Sequence, residues 1–140
     1  MTGRLPERRP VADADDALRR VPPVLVTFDP KADGGRQASS AASDNDADGS
    51  PVSVYLRSIV EELGLGADAV TDGKPAGWAV AAIPVRVLLA EQQVVEHDPV
   101  SGGDPPHPCD RAHAVVRGEK KQKSRRERIA RAAPLVHLIV

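Results

Sequence analysis

Three of the four histidines and the only cysteine fall in one stretch, HDPVSGGDPPHPCDRAH, from His97 to His113. His107, Cys109 and His113 give the spacing H-x-C-x₃-H, and Asp110 or His97 is near enough in sequence to add a ligand. Zinc takes thiolate and imidazole, with four protein ligands in a structural site or three plus water in a catalytic one. A second chemistry for the same residues is nucleophilic, with Cys109 activated by His107 or His113. That requires a lowered thiol pKa and a base within hydrogen-bond reach. Against the metal, structural zinc patterns bring two close ligand pairs, and this spacing does not. Against the nucleophile, catalytic groups usually meet from distant parts of a chain. The bland reading is a proline- and glycine-stiffened loop that is polar because loops are wet. No metal or cofactor is therefore expected. His107, Cys109 and His113 form a site only if they converge on one point.

The other candidate is RGEKKQKSRRERIAR, residues 117–131. Eight cationic and two acidic side chains give it a net +6, while the rest of the chain carries −7 and the whole chain −1. Such a patch holds anionic groups by direct charge and counterion release. Arg117, Lys120, Lys121, Lys123, Arg125 and Arg126 are the candidate anion-binding residues. Lys123-Ser124 match the end of a phosphate-binding P-loop, but Arg117 and Gln122 stand where its two glycines belong, so nucleotide hydrolysis by that route is rejected. Arg125 and Arg126, in the first turn of a helix, oppose the helix dipole unless an anion sits beside them. The bland alternative is a solvated charged face. The implied partner is nucleic acid or an acidic protein. The acidic stretch before residue 51 could also shield the basic segment from within.

Other single residues carry less. His137 reads as a core or edge histidine, and Trp78 as the main core anchor. Asp15–Asp16 and Glu61–Glu62 are sequence neighbours, whose side chains diverge and make poor acid/base pairs. The chain has one Phe, one Tyr and one Trp, so its core must be aliphatic, its stability modest, and its means of stacking bases few. The bias toward Ala, Arg, Gly, Pro, Val and Asp resembles a GC-rich, bacterial-type coding sequence. One cysteine excludes an internal disulfide, and no disulfide-linked partner is expected. No apolar run approaches the ~18 residues of a membrane span, and the N-terminus lacks the apolar core of a secretory signal. The expectation is a soluble, cytoplasmic protein without a membrane partner.

The elements that must position these residues follow from periodicity. Between Asp29 and Pro51 there is no Val, Ile, Leu, Met, Phe, Trp or Tyr. Such a segment cannot bury enough apolar surface to offset its ordering cost. Residues 1–50 thus read as a largely disordered extension, with a short strand at 24–28 and a helical turn or two in ADADDALRR. The domain is expected over 51–140. SPVSVYLRSIVEELG predicts a helix capped by Ser50, with Val52, Tyr55, Leu56, Ile59, Val60 and Leu63 on one face and Gly64 at its end. Asp72-Gly73 predicts a turn between strands at 70–71 and 77–83. A helix follows Pro84, and QVVEH reads as its continuation or as a strand at 94–95. AHAVVRG is a strand ending at Gly118. The Ser124–Glu127 capping box starts a helix over 125–133, and LVHLIV is a terminal strand buried on both faces. The strand–helix–strand ending allows a parallel crossover.

The sum is a small α+β domain with a mixed or antiparallel sheet and about three short helices, preceded by a disordered extension. The function expected first is a binding or accessory module that contacts an anionic partner through 117–131, and not an enzyme. The alternatives are a metal-binding or Cys/His enzyme centred on loop 97–113, and a structural or interaction protein.

Overall fold

The computed structural model describes residues 8–28, 36–39, 51–101, 106–118 and 123–140. The strands are β1 (Asp16–Val21), β2 (Val26–Phe28), β3 (Arg36–Ala38), β4 (Val52–Leu56), β5 (Ala79–Pro84), β6 (Gln93–His97), β7 (His113–Gly118) and β8 (Leu135–Leu138). The helices are α1 (Arg57–Glu62), α2 (Val85–Ala90) and α3 (Lys123–Arg131). Six strands form one sheet in the order β6-β7-β4-β1-β5-β8, and β2 and β3 form a separate pair. Every pairing is antiparallel. The chain is the α+β domain expected, with an antiparallel sheet and three short helices.

The boundary expected near Ser50 is corrected for the described residues. DALRRV is neither helical nor an appendage: β1 lies inside the sheet, with Leu18 opposite Tyr55 of β4 and Ala82 of β5. Ala17, Leu18 and Val21 are buried. Two consecutive arginines hid this strand from a pattern reading. Their aliphatic stems can cross apolar surface while the heads find partners. Arg19 Nη1 donates to the Ser53 carbonyl at 3.0 Å, and the Arg20 guanidinium lies 5.5 Å from the centre of the Tyr55 ring. The strand expected at 24–28 is shorter, a 3₁₀ turn over Pro23–Leu25 followed by β2. β3 forms within the segment expected to be disordered. The rest of that segment, 29–35 and 40–50, lies outside the described residues.

The helix expected over 51–63 is also corrected. Val52–Leu56 is β4, and helix begins only at Arg57. Residues four apart share a face in both a helix and a strand, so Val52 and Leu56 fit either reading. β-branched Val52 and Val54 favour the pleat, and neighbours on both sides, β1 and β7, satisfy its backbone. The start of α1 is held from far away. Asp15 accepts the Ser58 N–H at 3.0 Å and the Ser58 hydroxyl at 2.5 Å. Gly64, at φ 78°, ends the helix as expected.

In place of a strand at 70–71 there is a 3₁₀ turn over Ala67–Thr71, followed by a turn with Gly73 at φ 81°. β5 is buried along Ala79–Ile83. Its alanines let neighbours approach closely: Ala81 and Ile83 line a small apolar crevice with Ala38 of β3 and with Ile129, Ala130 and Ala133. Helix α2 follows Pro84 as expected, and QVVEH is a strand with alternating burial. The final run, expected to be buried on both faces, is instead the edge strand β8, partly exposed throughout. Nor do β7 and β8 form an adjacent parallel pair, since β4, β1 and β5 lie between them. Trp78 is not the core anchor. It is only partly buried, with the Lys74 ammonium 4.7 Å from its ring centre. The largest fully buried side chains are Leu18, Leu56, Leu88 and Ile129, an aliphatic core. Among the described residues no helix is long and apolar enough to cross a membrane.

Candidate functional site

The histidine–cysteine loop closes on Tyr55, which β4 places 5 % exposed in the sheet. His107 stacks on the tyrosine ring, with centroids 5.3 Å apart and planes at 26°. His113, the first residue of β7, meets the same ring edge-on at 5.8 Å. The loop around His107 ties itself locally. The Asp110 carboxylate accepts the His107 N–H at 3.0 Å, and His107 Nδ1 accepts the Cys109 N–H at 3.0 Å. The other His107 nitrogen, Nε2, is buried and makes no hydrogen bond of standard geometry among the described residues. Burial, and then the Arg20 charge, push the His107 pKa down, so the ring is held neutral.

His97 serves a different purpose. It is 4 % exposed at the end of β6, and its Nδ1 accepts the Arg9 N–H at 2.9 Å. Nδ1 must therefore carry a lone pair, which leaves Nε2 as the donor to the Arg111 carbonyl at 2.7 Å. Arg8 and Arg9 add exposed ion pairs to Asp98 at 2.9 Å and Glu62 at 2.6 Å. His97 thus pins the chain near residue 9 to the loop. His113 Nδ1 donates to the Asp98 carbonyl at 2.8 Å, since a carbonyl can only accept.

These bonds decide what the loop can do. His107 and His113 do come together, but around a tyrosine ring and not around an open point. Among the described residues no three His, Cys, Asp or Glu side chains are arranged to hold a metal ion. His107, Cys109 and His113, the metal alternative, are not among any such set. Cys109 is completely buried, and its thiol is pushed up to about 11 by burial and then by the carboxylates of Asp110 and Asp72. An activated nucleophile needs the opposite shift.

The basic segment is spread over two elements. Arg117 is exposed on β7, 3.7 Å from Glu96. Lys120 and Lys121 lie outside the described residues. α3 begins at Lys123, so Ser124 sits in its first turn and does not cap it. Along α3, Ile129 and Ala130 are buried, while Lys123, Arg128 and Arg131 are exposed. Lys123 and Arg131 make no ion pair among the described residues, and Arg125 and Arg126 are partly buried.

One residue missed in the sequence dominates this face. Glu91, in the turn between α2 and β6, accepts Arg128 Nε at 2.8 Å and Arg128 Nη2 at 2.7 Å. Arg125 Nε lies 3.6 Å from the same carboxylate. The hydrogen bond from Arg128 holds the Glu91 pKa below its ordinary value, against the effect of burial, and Arg125 adds to it. The first turn of α3 contains no acidic residue. The anion that Arg125 and Arg126 call for at a helix start is in part supplied by the protein's own Glu91. Its turn packs closely against β7. Gln92 has φ 63°, and Gly118 comes so close that a Cβ there would lie 2.4 Å from the Gln92 carbonyl oxygen. Nothing in the local pattern around Glu91 announces a partner 37 residues away.

Comparisons with protein-family models, with curated proteins and with solved structures each found no match to this chain.

Proposed function

We propose that the chain is a small binding module that takes an anionic partner, nucleic acid or an acidic protein, through the basic segment 117–131, whose described part includes α3. The observation that carries this reading is the orientation of α3. Its apolar residues face inward, and Lys123, Arg128 and Arg131 face solvent. Glu91 is within ion-pair distance of Arg125 and Arg128. A concentration of cations on one face draws an anionic partner to it. An enzyme centred on loop 97–113 has less support, because its thiol is buried and protonated and its imidazole nitrogens are mostly committed to backbone groups. A single buried cysteine suits a reducing compartment, and cytoplasmic action is part of the proposal.

The test is fluorescence anisotropy of a short labelled DNA duplex and of labelled poly-glutamate, each titrated at low and at raised salt. The expected result is binding to one of them that weakens steeply with salt. Lys120→Ala, Lys121→Ala and Lys123→Ala together should weaken it further. The reading fails if neither probe binds at low salt, or if binding survives the triple substitution unchanged.

A further inference from the structure

We infer that Glu91 is a built-in competitor for the partner's carboxylates, and that the anion which docks on α3 is an acidic protein segment that displaces it. This rests on the proposed function above and adds to it both a partner class and a regulating contact. Arg128 grips Glu91 side-on, with Nε and Nη2 on separate carboxylate oxygens at 2.8 and 2.7 Å, and Arg125 approaches from the same side at 3.6 Å. Two guanidinium groups are thus already arranged around a carboxylate, the group that an Asp or Glu of a partner presents. Arg128 is 54 % exposed while Glu91 is 14 % exposed. An incoming carboxylate can reach the arginine from solvent, and the glutamate, anchored by its turn, does not follow the arginine outward. The group these arginines already grip is a carboxylate, which favours an acidic protein segment over nucleic acid.

Glu91→Gln removes the competing charge and keeps the shape of the side chain. An exposed pair of this type is worth enough to change affinity by roughly two- to five-fold. Poly-glutamate should therefore bind Glu91→Gln two- to five-fold more tightly than the unaltered protein, with the duplex weaker in both. Glu62→Gln, which makes the same charge change at the equally bidentate Arg9 pair, serves as the control and should change affinity far less. Thermal melting confirms that Glu91→Gln is still folded, and if it is not, Glu91→Asp replaces it. The shorter chain keeps the charge but cannot reach both arginine nitrogens, so it should also bind tighter. The inference is overturned if poly-glutamate binds the unaltered protein and the Glu91 variants equally, if Glu62→Gln strengthens binding as much, or if the duplex outcompetes poly-glutamate. If neither probe binds any of the proteins, it is the proposed function that falls.

Discussion

The loop 97–113 and helix α3 were the two reactive-looking regions of this chain, and they treat their polar side chains in opposite ways. The loop turns its histidines and cysteine toward the sheet. Cys109 is fully buried, His97 has both nitrogens bonded, and His107 lies flat on Tyr55. α3 turns Lys123, Arg128 and Arg131 outward, and Glu91 grips Arg128. The loop's histidines and cysteine therefore hold the fold together, whereas Lys123, Arg128 and Arg131 of α3 face solvent. Residue type alone did not separate the two. Burial did, because a desolvated thiol or imidazole loses its charged form, while an exposed guanidinium keeps both charge and access.

The sharpest way to break this contrast is Tyr55→Ala. Removing a buried aromatic from a core with few large side chains should cost about 3–5 kcal/mol. It also removes the surface on which His107 and His113 rest. Urea denaturation should show the loss, and a cost under ~1 kcal/mol would mean that the loop does not depend on that ring. His97→Ala comes next. It leaves the Arg9 N–H and the Arg111 carbonyl without their partner, a loss of about 1–3 kcal/mol. Amide exchange at Arg9 should quicken beyond what that global loss explains, and unchanged protection there would contradict the pinning role.

The pH response is smaller and distinguishes the two regions. The folded state holds the Cys109 proton up to about 11, against an ordinary value of 9.0, so between these limits it binds more protons than the unfolded chain. Stability should fall as pH rises across that window, and Cys109→Ala should remove this part of the decline. Tyr55, raised by burial from 10.0, adds a loss of the same sign at higher pH. His107 works at the acid end. Its pKa is lowered from 6.5, so the unfolded chain takes up the proton first, and stability declines as pH falls below 6.5. Melting temperatures across pH would show both slopes, and a flat alkaline limb would contradict the burial of the thiol. The smallest effect on stability is expected on α3. Lys123→Glu with Arg131→Glu should change the unfolding free energy by no more than ~0.5 kcal/mol, yet abolish low-salt binding of the anionic probes. A large destabilisation would move α3 from the outward class to the inward one.

Much of the fold was legible where one periodicity ruled. Helix α2 after Pro84, strand β7 ending at Gly118 and the stop at Gly64 all follow from local signals. Reading failed where two periods coincide, as in Val52–Leu56, and where charge masked a strand, as in Asp16–Val21. Within the candidate face, the cations were visible as a charge run. Glu91 was not, since its significance comes from two arginines far along the chain.

The amino-acid sequence by itself determined the small α+β class, the aliphatic composition of the core and the division of charge between 117–131 and the rest. Each of these depends on composition or on neighbours a few residues apart. The tertiary structure decided the remainder: that β1 lies inside the sheet, that Asp15 caps α1, that Tyr55 carries His107 and His113, that Cys109 is buried, and that Glu91 grips Arg128. Those outcomes depend on which distant surfaces exclude water together, and desolvation is a property of the assembled molecule and not of any segment of it.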